Sequence, residues 1–270
     1  MVRLPGRKIA DQADRHHLYQ ESVQDTESEI DFVEETWQEL RDRPAELLRE
    51  DFCGTANTSC EWVRRDNQHY AVGIDWDPEV LDWGRINNLE QLDDDQFGRI
   101  TLLQENVLEA QTELADIVLA MNFSYFLFLD RGDLLEYFCA VRESLEDDGI
   151  FFLDAYGGYD APKEIIEERE CEGFTYIWDQ ASFNPIDSRM TCYIHFEFPD
   201  KSRMEKAFSY DWRLWTLPEI RELLSEAGFT DITVYWEGTD EESNEGDGIF
   251  KPAEVGDADP GWICYIVAEK

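Results

Sequence analysis

The sequence predicts an α/β protein: a mostly parallel sheet of seven strands with helices on both faces, and a small antiparallel β insert after strand five. Three observations predict it. Short apolar runs that stop at acidic or polar residues alternate with helix-like segments through the first 155 residues. One of these runs, residues 115–121, is almost wholly apolar, as a strand buried on both faces must be. After residue 156 the pattern changes to an aromatic-rich alternation over residues 174–215, which reads as antiparallel strands.

Each element follows from local chemistry. Residues 9–25 are polar and mixed, with His16, His17 and Tyr19. Ile30, Val33, Trp37 and Leu40 recur at helical spacing, and Pro44 closes that helix. Residues 46–51 read as a first strand, a glycine turn at Gly54 follows, and residues 55–65 open a helix. Residues 70–75 form the second strand; Asp77 then caps a helix with Pro78 at its first position. Residues 100–104, 115–121 and 150–154 supply strands three to five, and an amphipathic helix over 134–145 precedes the last of them. In the insert, turn signals at Asn184-Pro185 and at 199–202 separate three strands. Thr216 and Pro218 start a helix that ends at Gly228, and residues 232–236 and 262–267 are two closing strands. The glycine- and acid-rich stretch 238–261 between them is read as a solvated excursion, or else a mobile lid. The implied organisation is a helical arm or lid over residues 1–44, a nucleoside-binding domain over 45–156 and 216–270, and the insert over 157–215.

With 270 residues, 43% apolar and 13% aromatic, the chain can build a sizeable core. No apolar run reaches the roughly 20 residues that span a bilayer, and the basic N-terminus has no apolar segment behind it, so a cytoplasmic protein without membrane contact is expected. Acidic residues outnumber basic ones 62 to 23, a net charge of −39. Such a surface repels phosphate backbones, which argues against nucleic acid as partner. It also repels itself unless salt screens it, which points to a halophilic, salt-loaded cytoplasm. The six cysteines have no metal spacing and read as buried free thiols; no metal site is expected.

The chemistry concentrates where apolar runs end. Glu50-Asp51-Phe52-Cys53-Gly54-Thr55-Ala56 places acids and a tight turn after strand one. Gly73-Ile74-Asp75-Trp76-Asp77-Pro78 places Asp75 at the end of strand two, where a carboxylate can accept both ribose hydroxyl protons. Asn106 and Val107 follow strand three, and Asn122, Phe123 and Tyr125 follow strand four. In this order the segments resemble the class I S-adenosylmethionine-dependent methyltransferases, over roughly residues 45–155 and the closing helix and strand pair. That family carries an acid and then Gly-x-Gly-x-Gly after strand one; here Phe52 and Ala56 stand at two of the glycine places.

The resemblance implies a Rossmann-like sheet and S-adenosyl-L-methionine as cofactor. Glu50 (or Asp51), Phe52 and Gly54 would lie along its methionine end. Asp75 would hold the ribose, Trp76 would flank the adenine or simply pack, and Asn106 with the Val107 amide would meet the adenine edge. Asn122 and Phe123 would line the sulfonium and the acceptor pocket. A small-molecule methyl acceptor is implied, an amine among the options, as in glycine N-methyltransferase-like enzymes. Tyr125, Tyr19 and His17 are the candidate bases. Tyr156, Tyr210, Trp212 and Arg213 are candidates on the acceptor side, Arg213 for a carboxylate and the aromatics for an ammonium. Two other functions compete. A nicotinamide-dependent oxidoreductase would also use Asp75, but it wants Gly-x-Gly-x-x-Gly, which residues 52–57 do not supply. A non-catalytic cofactor-binding protein would keep the same site.

Overall fold

The structure, a computed structural model, describes residues 8–240 and 246–270; the start of the basic N-terminus and residues 241–245 of the acid-rich stretch lie outside the described residues. In chain order these form α1 (Arg15–Val23), α2 (Thr26–Leu40), β1 (Leu47–Asp51), α3 (Asn57–Arg65), β2 (Tyr70–Asp75), α4 (Pro78–Asn87), α5 (Asp94–Phe97), β3 (Ile100–Gln104), β4 (Ala115–Ala120), α6 (Arg131–Ser144), β5 (Leu145–Gly157), β6 (Ile165–Cys171), β7 (Phe174–Asn184), β8 (Arg189–Glu197), β9 (Arg203–Arg213), α7 (Leu217–Ala227), β10 (Ile232–Thr239), β11 (Gly246–Pro252) and β12 (Trp262–Glu269).

The chain divides into two compact units. Of the described residues, one holds those up to Gln24 with Tyr159–Leu214, and the other holds the rest. The expected N-terminal arm over residues 1–44 is therefore split after Gln24, and α2 belongs to the larger unit.

The larger unit is built on an eight-stranded sheet in the order β11-β10-β12-β5-β4-β1-β2-β3. The five strands from β3 to β5 are parallel, while β12, β10 and β11 join antiparallel to their neighbours. The sequence predicts seven strands. The eighth, β11, comes from the stretch read as a solvated excursion, and its residues are mostly exposed, so no apolar alternation announces it.

Helices cover both faces because the strands alternate. Ile150 and Phe152 of β5 share a core with Ile30, Val33 and Trp37 of α2 and with Trp62 and Val63 of α3. Phe151 points the other way, against Tyr137 and Phe138 of α6 and Phe229 beyond α7. Capping sets the helix starts: Asp77 accepts from the Glu79 amide with Pro78 in the first turn, and Thr216 and Glu219 form a reciprocal capping box.

The smaller unit is a four-stranded antiparallel sheet, β6-β7-β8-β9, one strand more than expected. The extra strand, β6, carries four charged residues in seven and is mostly exposed, which hid it from an apolar-pattern reading. One face of this sheet packs Phe174, Ile194, Phe196 and Ala207 with Leu18 of α1.

Candidate functional site

In an open parallel sheet a ligand site forms outside the carboxyl ends of the strands, where strand order reverses. Here the reversal falls at β1 and β4, the middle of the parallel segment. There the turn after β1 is hydrogen-bonded to the end of β2, and the turn after β4 to β5.

The turn after β1 has an unusual backbone. Phe52, Gly54 and Ala56 adopt φ of 56°, 53° and 56°, the left-handed region at all three places. Side chains resist this conformation by roughly 1–2 kcal/mol per residue. The surroundings therefore hold Phe52 and Ala56 there. The Phe52 ring packs on Phe128 and Tyr137, and Ala56 is wholly buried as the residue before α3. A Cβ on Gly73 would lie 2.9 Å from the Cys53 sulfur, so that glycine lets the turn settle against β2. A Cβ on Gly84 of α4 would lie 2.5 Å from the Thr55 carbonyl, to which Asn88 also donates. At Gly54, in contrast, a Cβ would meet nothing within 4 Å, so the outer side of this turn is open to a ligand.

Asp75 ends β2 facing that turn. One carboxylate oxygen accepts the Gly54 amide at 2.8 Å and the other accepts the Asp77 amide at 2.9 Å. The Trp76 amide is bonded to this carboxylate as well, which leaves one acceptor position for a ligand. Burial lifts this carboxyl above its usual range, while the backbone amides pull it back. Beside it the Trp76 ring is 75% exposed, so it is not packing into a core. After β3, Asn106 turns the chain by accepting the Leu108 amide, and the buried Val107 gives its carbonyl to Arg49.

The turn after β4 repeats the left-handed backbone. Asn122 and Phe123 have φ of 57° and 56°, and both their amides donate to the Asp154 carboxylate, at 2.7 and 2.8 Å. Burial raises Asp154 to about 7 despite these bonds. Four of the seven non-glycine left-handed residues among the described residues thus fall in these two turns, the clustering that a ligand site shows. Phe123 tilts against Tyr156, which stacks on Phe126.

The two acids after the first apolar run differ in their partners. Asp51 pairs with Arg49 at 2.8 Å and accepts the Tyr137 hydroxyl at 3.0 Å. Glu50 points to the other face and accepts both the amide and the hydroxyl of Ser59, with Thr58 also bonded to it. Desolvation raises it to about 7, and nearby Asp75 adds to the rise.

The candidate bases fare unequally. Tyr125 is fully buried, its hydroxyl donates to the Asp154 carbonyl at 2.7 Å, and burial beside Asp154 pushes its proton affinity well up. That position suits a structural brace and not proton abstraction. Tyr19 and His17 lie on α1 of the smaller unit, His17 exposed and Tyr19 tilted on Phe208 with its hydroxyl bonded to Tyr210. Tyr210, Trp212 and Trp178 form an aromatic cluster with centroids 4.5–6.0 Å apart. Strand alternation puts Arg213 on the opposite face of β9 from Tyr210 and Trp212, so the strand does not bring these expected partners together.

Three site features escaped the sequence reading: Asp154, Thr58 and Glu29. Asp154 was legible only as a strand end. Glu29 left a signal, an acid at i−4 from Val33 on the apolar stripe of α2. It is 8% exposed. Cys53 is buried among Glu50, Asp75 and Asp51, which drives its thiol well up and makes it a poor nucleophile. A cleft of about 560 Å³ opens at the far ends of β1 and β2, around Glu46, Tyr70 and Arg99, away from this site.

No protein-family model matches the chain, and no curated protein matches it. Solved structures do. An S-adenosylmethionine-dependent methyltransferase from Clostridium acetobutylicum ATCC 824 is similar at a TM-score of 0.69 and 18% identity, over 94% of this chain and 96% of that one. The chain has the fold of the S-adenosylmethionine-dependent methyltransferases. CalS10, an amino pentose methyltransferase from Micromonospora echinaspora solved with S-adenosylmethionine bound, is similar at a TM-score of 0.66 and 13% identity, over 94% and 95% of the two chains. The sugar N-methyltransferase KedS8 from Streptoalloteichus sp ATCC 53650 is similar at 0.62 and 16% identity, over 100% and 97%. Within this methyltransferase fold no helix among the described residues is long and apolar enough to cross a membrane.

Proposed function

We propose that the protein is an S-adenosylmethionine-dependent methyltransferase acting on a small molecule, with an amine as acceptor. The observation that carries this reading is the joining of Asp75 to the left-handed turn through the Gly54 amide, with open space outside Gly54. That arrangement offers a nucleoside a carboxylate acceptor and lets its tail approach bare backbone. When bound, the cofactor supplies an electrophilic methyl group on a sulfonium. The chain's own residues hold and orient. Asp75 receives the ribose hydroxyls, the Trp76 ring covers the adenine, and Asn106 with the Val107 amide meets its edge. Phe52 and the backbone at Gly54 flank the methionine end, with Glu50 behind them. Asn122 and Phe123, fixed by Asp154, border the reacting centre.

The likeness to enzymes whose names specify sugar amines, CalS10 and KedS8, supports the amine acceptor. So does the Trp178–Tyr210–Trp212 cluster, whose ring faces attract an ammonium. Tyr156 is kept as an acceptor-side residue, and Arg213, on the opposite face of β9 from Tyr210 and Trp212, is left out of this aromatic set. With Tyr125 enclosed, Tyr19 and His17 are the proposed bases for an ammonium that must lose its proton before attack. Catalysis is then mainly positioning of the acceptor in line with the departing sulfur. The net charge of −39 supports a protein adapted to high salt.

Calorimetric titration in high salt, with S-adenosylhomocysteine and separately with NAD, tests the reading. Micromolar binding of the first alone is expected. Binding of NAD alone, or of neither, overturns it. Turnover with an amino sugar or a simple secondary amine then separates an enzyme from a cofactor-binding protein.

A further inference from the structure

Glu29 is a carboxylate in the wrong place for stability. It is 8% exposed, and the charged groups that act on it most strongly are acids on three other segments: Asp154 on β5, Glu50 on β1 and Asp25 just before α2. The Tyr265 ring of β12 lies close on a further side. Thr58 of α3 bonds to both Glu29 and Glu50, but its hydroxyl has a single proton to give. One oxygen of Glu29, Oε2, is buried and has no hydrogen-bond partner. A buried ionised carboxylate without a partner is strongly disfavoured, so this oxygen is suited to a donor that arrives from outside the chain and brings positive charge.

The other acids at the carboxyl edge are already engaged. Asp51 is neutralised by Arg49, Glu50 is bonded to Ser59, Asp75 braces three amides and Asp154 braces those of Asn122 and Phe123. Glu29 alone among these five presents an orphaned acceptor. Resting on the methyltransferase reading, we propose that Glu29 is a further cofactor-binding residue, whose carboxylate accepts a hydrogen bond from the ammonium of the cofactor's methionine moiety. A sulfonium has no N–H to give, so the orphaned acceptor selects the ammonium as its partner. Glu50 and Asp154 add negative potential behind it. The acid that serves this end of the cofactor then comes from α2, not from the turn after β1.

The test is calorimetry at neutral pH on wild type and Glu29→Gln, with S-adenosylhomocysteine and with 5′-methylthioadenosine, which keeps the adenosine and lacks the amino-acid end. The glutamine variant is expected to bind S-adenosylhomocysteine roughly ten- to a hundredfold more weakly, the range of a charge-assisted hydrogen bond. Its binding of 5′-methylthioadenosine should stay within about twofold of wild type. Equal affinity of both proteins for S-adenosylhomocysteine overturns the proposal and leaves the methyltransferase reading standing. Parallel loss of both ligands also overturns it, because Glu29 would then act on the site's shape. Failure of wild type to bind either ligand overturns the parent reading.

Discussion

Replacing Glu50 with glutamine should flatten the dependence of stability on pH. Burial and the nearby Asp75 lift the Glu50 carboxyl from 4.5 to about 7, against the pull of its bonds to Ser59 and Thr58. In the unfolded chain the same group titrates at 4.5. The native state therefore holds a proton that the unfolded state has lost between 4.5 and about 7. The resulting penalty is absent below that window, grows as the pH rises through it, and is fully developed above it. A difference of roughly 2.5 in pKa corresponds to about 3 kcal/mol, of which about 2 kcal/mol develops between pH of about 5.5 and about 8. Glutamine still accepts the Ser59 amide and hydroxyl through its carbonyl, and it has no charge to desolvate. In urea melts, wild type should lose about 2 kcal/mol more than Glu50→Gln between those two pH values, a Tm difference of about 4–8 °C. Asp154, raised to about 7 as well, contributes a slope common to both proteins, so the difference isolates Glu50. Equal slopes in the two proteins would refute the claim that burial of Glu50 outweighs its bonds to Ser59 and Thr58.

Three other outcomes are expected. Asp75→Ala should raise the dissociation constant for S-adenosylhomocysteine at least about tenfold, since it removes the ribose acceptor and frees the Gly54 amide; unchanged calorimetry would exclude the ribose role. Tyr125→Phe should lower stability by about 1 kcal/mol through the lost bond to the Asp154 carbonyl, yet keep the pH profile of methyl transfer; loss of the basic limb of that profile would restore Tyr125 as a base. Thermal melts should rise steadily with potassium chloride toward molar concentrations, because a net charge of −39 repels itself until the screening length falls to about 3 Å; a salt-independent Tm would remove the case for salt adaptation.

The sequence made the carboxyl ends of the strands legible because each apolar run there stops at a residue with evident chemistry, and Asp75 is the plainest instance. It did not disclose that Phe52 and Ala56 keep a glycine-like backbone. Left-handed geometry at those positions is enforced by packing against Phe128, Tyr137 and α3, which is a property of the folded chain. Asp154 lay hidden because its partners, the amides of Asn122 and Phe123, belong to a turn 31 and 32 residues away. Glu29 was visible as an acid on an apolar stripe, but only the convergence of β1, α3 and β5 on it separates a buried carboxylate from a solvated one. The strands β6 and β11 escaped because a mostly exposed strand has no buried face to impose an alternation.

The eighth strand also changes where the large sheet ends. A sheet that stopped at β10 would leave the backbone groups of Ile232–Thr239 unpaired along one side, beside the half-buried Val234 and Trp236. The hairpin partner β11 takes up that row and substitutes its own border of Asp247, Lys251 and the terminal Pro252. Charge and proline are what natural sheets use to discourage strand-to-strand association between molecules. Wherever salt screens the long-range repulsion between acidic chains, short-range protection of this kind remains effective. Strand β11 thus replaces a bare strand edge with one that carries charge and a proline.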